Sequence, residues 1–146
     1  MNLSKFRDRS PAARRLLIEA GLWLAISRVA ILVLPFRWTV RLFSLKQGRA
    51  AAEVSPAMRD AARNIGLAVR SASTRTPWQS ACLAQSLAGA AMLRRRRIPA
   101  VVAMGVARNG RADTFSAHAW LSCGGVILTG AGGYERYQVI INFVPG

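Results

Sequence analysis

Hydrophobic and polar positions recur with a helical period in the first two thirds of this chain and with a strand period in the last third. From Leu16 to Leu34 the sequence is strongly apolar, and Leu17, Ala20, Gly21, Leu24, Ser27, Ile31 and Leu34 fall on one helical stripe with Trp23 beside it. Ser10-Pro11 opens this helix, serine as N-cap and proline in the first turn. A second helix is predicted after Pro35, running to near Gly48, with Arg37, Arg41 and Lys46 along one edge. Ser55-Pro56 opens a third, to about Ser71, turning Met58, Ala61, Ala62, Ile65 and Val69 inward. In the fourth, Leu83, Leu87, Ala90 and Leu93 form an apolar stripe, while Ala84, Ala88, Gly89 and Ala91 are small enough for a sheet to approach closely. Arg94 to Arg97 ends it with cations that complement the helix dipole. Strands are then expected at about 100–107, 114–123, 126–129 and 135–143, with Asn109-Gly110 and Gly124-Gly125 as hairpin turns.

Helices followed by strands predict an α+β fold in which an antiparallel sheet wraps against one central helix. We divide the chain into a helical N-terminal region, residues 1–75, and a core, residues 76–146, packed as one unit. At 146 residues one domain is the natural count. With 52% hydrophobic and 18% charged residues, the chain is not of the disordered class.

The net charge of +15, from 21 Lys and Arg against 6 Asp and Glu, favours an anionic partner: nucleic acid, a membrane surface or an acidic protein. No RNA-binding signature is present and aromatics do not alternate with cations, so specific nucleic-acid recognition is not expected. Glu19 and Arg28 interrupt the first apolar segment, which reads as a core helix rather than a membrane span or signal peptide. The basic edge of the second helix leaves open contact with a membrane surface or a partner. Two Cys and one His make neither a disulfide framework nor a metal-ligand set, so no metal and no cofactor are expected. Free thiols suit a reducing compartment, and the expected location is cytoplasmic, at most peripheral at a membrane.

The candidate chemistry is the pair Cys82 and His118. Helix N-termini lower a thiol's pKa, and two starts compete for the fourth helix. Ser80 as N-cap puts Cys82 in the first turn, whereas Thr76 with Pro77 and Gln79 makes a capping box and leaves Cys82 a turn deeper. Strand alternation sets Ser116, His118, Trp120 and Ser122 on one face, and Phe115, Ala117, Ala119 and Leu121 on the other. Cys123 falls on the Phe115 face and reads as structural. Taken singly, a cysteine in an alanine-rich helix is most often a small buried hydrophobe. A thiol at a helix start together with a distant histidine is a candidate nucleophile and base.

The runs Cys82-Leu-Ala-Gln-Ser-Leu, Leu93-Arg-Arg-Arg-Arg-Ile-Pro, Met104-Gly-Val and Ala117-His118-Ala119-Trp120, in this order and spacing, resemble the lasso-peptide leader peptidase family from Trp78 to about Phe143. The resemblance implies a transglutaminase-like, papain-like core: a nucleophile helix packed on an antiparallel sheet. It also implies a cysteine peptidase that cuts the leader from a ribosomally made lasso-peptide precursor before macrolactam formation. Cys82 would attack, His118 would shuttle the proton, and the Cys82 backbone N–H would serve the oxyanion, with Gln79 as a second donor and Trp120 at the substrate. Implied partners are the precursor peptide, a separate leader-recognition protein and an ATP-dependent macrolactam synthetase.

The family's histidine is oriented by an aspartate on the next strand, and here that place falls at Thr129-Gly130. Asp113 alternates to the opposite face, and Glu135 lies beyond a glycine-rich turn. Thr129, through its hydroxyl or carbonyl, is the expected substitute. The missing acid keeps two further readings in play: a catalytically weak or inactive binding protein of the same fold, and a Cys-His acyl or amide transferase.

Overall fold

The computed structural model describes residues 7, 9–49, 53–74, 82–108 and 115–145. In chain order these form α1 (Pro11–Val33), α2 (Phe36–Leu42), β1 (Leu45–Gln47), α3 (Pro56–Ser73), α4 (Cys82–Arg95), β2 (Val101–Arg108), β3 (Phe115–Cys123), β4 (Val126–Thr129), a 3-10 turn (Tyr134–Arg136) and β5 (Gln138–Pro145). The strands make one five-stranded sheet in the order β1-β5-β2-β3-β4, with every neighbouring pair antiparallel. The α+β expectation holds.

Two helix starts follow their caps as expected. Ser10 Oγ accepts from the Ala13 N–H and Ser55 Oγ from the Met58 N–H, each with proline in the first turn. The second helix is shorter than its apolar pattern predicts. It stops at Leu42, Ser44 turns into left-handed backbone (φ 53°), and residues 45–47 become β1, paired with Phe143–Pro145. The end of β5 decides this, because three residues form a strand only where a partner offers its edge. The last strand also starts later than expected, since Tyr134–Arg136 coil into the 3-10 turn. The Asn109-Gly110 turn lies outside the described residues.

Helices α3 and α4 lie against the sheet, and α1 packs across both. Leu17, Ala20 and Leu24 of α1, Ile65 and Val69 of α3, and Leu87 and Leu93 of α4 share one core with Val102, Leu121 and Phe143 of the sheet. Both parts of the chain therefore bury their apolar faces in a single core, and β1 brings the N-terminal region into the sheet itself. Small residues let α4 sit close: a Cβ on Gly89 would overlap the Leu121 side chain.

Glu19, the acid inside the apolar helix, is explained by the arginine run. Arg96 forks onto it, Nη2 to Oε2 at 2.7 Å and Nη1 to Oε1 at 3.1 Å, and Arg95 Nη1 reaches Oε1 at 2.7 Å. The hydrogen bond from Arg96 holds the Glu19 carboxyl below the usual carboxylate range, against the opposing effect of burial, with the charges of Arg96 and Arg95 adding to it. The run at the end of α4 thus clamps α1 as well as facing solvent.

Two stability outcomes follow. Gly89→Val should cost about 1–3 kcal/mol by overpacking against β3, read as a lower urea midpoint. Glu19→Gln should cost about 1 kcal/mol at neutral pH, since the pair is only partly buried. A depressed folded pKa contributes stability above the unfolded value and loses it as pH falls through the folded one, so the two midpoints should converge in acid.

Candidate active site

Cys82 heads the described part of α4, whose alanine and leucine content favours helix. Its thiol is free and half-buried. The competing caps Thr76 and Ser80, and the expected oxyanion donor Gln79, lie outside the described residues.

Topology brings His118 to the same end of the fold. The short connection after Arg95 sends β2 back along α4, and β3 runs antiparallel to β2. Val101 pairs with Ser122 near the C-terminal end of α4, so the pair Gly105 and His118 lies toward its N-terminal end. Side chains tie the helix to the neighbouring strand there. Ser86 Oγ donates to the Cys82 carbonyl at 2.9 Å and lies 3.4 Å from Thr129 Oγ1. With its one proton spent on Cys82, Ser86 accepts from Thr129.

That bond corrects the expected role of Thr129. Its register partner is Leu121, so its fully buried side chain takes the helix face of the sheet while His118 faces the other way. The next residue supplies what Thr129 does not: His118 Nε2 lies 2.7 Å from the Gly130 carbonyl oxygen, twelve residues on. Only glycine fits there. Its φ is +77°, and a Cβ would stand 2.5 Å from the Ala119 carbonyl and 2.9 Å from Trp120 Cβ. Glu135 is exposed on the 3-10 turn, and Asp113 lies outside the described residues.

Aromatic rings flank the imidazole. Trp120 stacks on it with centroids 5.8 Å apart and planes 29° apart, as the shared strand face predicts, and Tyr137 lies at 4.9 Å. Tyr134 leans on Trp120 at 5.7 Å, and Ser116 Oγ donates to the Tyr137 hydroxyl at 3.5 Å. At 5% exposure Trp120 is a wall behind the histidine, with little surface left for the substrate contact expected of it. The sequence pattern singles out neither tyrosine, because Tyr134 falls just before the expected strand at 135–143 and Tyr137 is one of its unmarked positions. The available signal was two tyrosines three apart just after the glycine-rich turn.

The chemistry follows from the acceptor. A carbonyl oxygen can only accept, so Nε2 carries a proton, and in the neutral ring Nδ1 is the nitrogen with the free lone pair. The imidazole is held as a base by a neutral dipole where a carboxylate would add full charge. Cys123 is buried on the helix face, and burial raises its thiol pKa, with Arg59 pulling weakly the other way. No cluster of three His, Cys, Asp or Glu that could hold a metal occurs among the described residues.

A family model described as the transglutaminase-like superfamily matches residues 30–142, from the end of α1 into β5. The chain belongs to this superfamily. Transglutaminase-like proteins comprise chiefly cysteine peptidases and transferases, and the helix-then-antiparallel-sheet order of this chain is consistent with their core. No curated protein and no solved structure matches the chain significantly.

Gly130→Ala, which pushes the carbonyl off His118, should slow Cys82 alkylation by iodoacetamide at neutral pH roughly tenfold, through loss of the oriented base. Circular dichroism of the same variant should stay native, and an unchanged alkylation rate would rule out the carbonyl as the orienting group.

Proposed function

We propose that this protein is a cysteine peptidase that removes the leader from a ribosomally synthesised lasso-peptide precursor, freeing the core's N-terminal amine for an ATP-dependent macrolactam synthetase. The observation that carries the peptidase reading is the 2.7 Å bond from His118 Nε2 to Gly130, which fixes the base tautomer at the end of the fold where α4 begins with Cys82. The motif order from Cys82 through Ala117-His118-Ala119-Trp120 supports the narrower assignment.

On this reading Nδ1 of His118 takes the Cys82 thiol proton, and the thiolate adds to the scissile carbonyl. The oxyanion is received by the backbone N–H of Cys82. His118 returns the proton to the leaving amine as the C–N bond breaks, leaving a thioester on Cys82. Water then adds to the thioester with His118 again as base, and the leader departs as a carboxylic acid. Throughout, Gly130 holds the ring by a dipole, so imidazolium is stabilised less than by an aspartate. The Trp120 and Tyr137 rings keep its plane fixed.

A leader must also be recognised, and we assign that step to a separate recognition protein that delivers the precursor. Mass spectrometry of the precursor with this protein and the recognition protein should show cleavage at the leader-core junction, with none for Cys82→Ala. Omitting the recognition protein should slow cleavage severalfold or more. A folded wild type that leaves the precursor intact would favour a binding protein of the same fold. A product carrying the mass of an added amine in place of water would favour a transferase.

A further inference from the structure

The outer face of α1 has no partner in the fold. Leu17, Ala20, Leu24, Ser27 and Ala30 turn toward α3 and α4, and on the opposite side Ile18, Leu22, Ile26, Val29 and Val33 recur every three or four residues, all exposed, Val33 by 72%. The apolar surface continues past the Pro35 corner with exposed Phe36, Trp38 and Leu42. Thr39 keeps that corner in place, its buried hydroxyl donating to the carbonyls of Ala30 and Pro35 at 3.3 and 3.4 Å. Single exposed hydrophobes are ordinary, but a stripe along a helix of 23 residues, about 35 Å long, is not.

We propose that this face binds an anionic lipid surface, with α1 lying flat in the headgroup region and the catalytic core held above it. By length and mean hydropathy α1 would pass for a membrane-spanning helix. Its inner face is committed to the core and its Glu19 to Arg95 and Arg96, so the helix presents one side only.

Charge selects the occupant. Arg14 and Arg15 lie one turn before Ile18 on the same side of the helix, and exposed Arg37 and Arg41 follow the stripe at its other end. Arg41 also lies over the Trp38 ring at 5.2 Å, an aromatic and a cation together as interfacial helices carry them. Between 9 and 49 the one carboxylate is Glu19, already paired. A second copy of a chain with net charge +15 would bring cation against cation. A protein partner needs polar groups through the interface to fix its orientation, and between Ile18 and Val33 the exposed residues are all apolar. Apolar surface with cations at both ends, and between them only the half-exposed Arg28 at its flank, is what an anionic bilayer accepts.

The test is flotation with vesicles of phosphatidylglycerol and phosphatidylcholine against phosphatidylcholine alone. The full chain should float with the anionic vesicles and be released by high salt. Leu22→Ser/Val29→Ser should weaken binding at least tenfold while keeping the native circular dichroism. Arg14→Gln/Arg15→Gln should weaken it more than Arg63→Gln/Arg70→Gln, which removes the same charge from α3. No flotation, or binding indifferent to Leu22 and Val29, would overturn the proposal. A dimer in solution that Leu22→Ser/Val29→Ser dissolves, without lipid binding, would assign the face to a second copy instead.

Discussion

The close seat of α4 in the middle of the molecule is the constraint on which the remaining elements depend. Its inward positions are alanine, glycine and leucine, so α1 and α3 can pack on it from one side and β3 from the other without forcing them apart. A larger residue at Gly89 would lift the helix from Leu121 and with it the whole first turn, where Ser86 joins the Cys82 carbonyl to Thr129. Position of the thiol is therefore a packing outcome. It is set by side chains with no chemistry of their own, several residues away from the sulfur.

The site itself replaces a charge by a dipole. Holding His118 with the Gly130 carbonyl fixes the same tautomer that a carboxylate would fix, and that is the larger part of what an orienting group does. What is given up is the extra stabilisation of imidazolium. In compensation the ring is packed between Trp120 and Tyr137, so less of its orientation depends on one bond.

The sequence made the architecture legible where pattern and chemistry agree. The Ser-Pro helix starts, the small-residue face of α4 and the alternation that pairs His118 with Trp120 were all readable, because each is a local rule that tertiary context did not override. Strand β1 was not, since Leu45 continues an apolar helical pattern and becomes a strand only because β5 ends beside it. The histidine's partner was located to within one residue and then assigned to the wrong one. A hydroxyl attracts attention in a sequence, whereas a backbone carbonyl belongs to every residue and has no signature. The clue was the glycine: a positive φ and a neighbour 2.5 Å from its missing Cβ make Gly130 the place where the chain can turn its carbonyl inward. The exposed side of α1 was hidden for a different reason. Periodicity placed Leu17, Ala20, Leu24 and Ser27 on the core side, where they are buried, but the helix is apolar nearly all round, so nothing in the pattern marked the opposite side as a continuous exposed face.

The two sulfurs stand in opposite surroundings. Cys123 is sealed beneath the helices with its thiol pKa raised by burial, while Cys82 is half-open at the head of α4. A thiolate-selective electrophile therefore meets one competent sulfur in the folded chain, and incorporated label counts folded sites in any preparation without need of a substrate. Unfolding would expose the second sulfur, so the ratio of one label to two becomes a built-in gauge of how much of a sample is native.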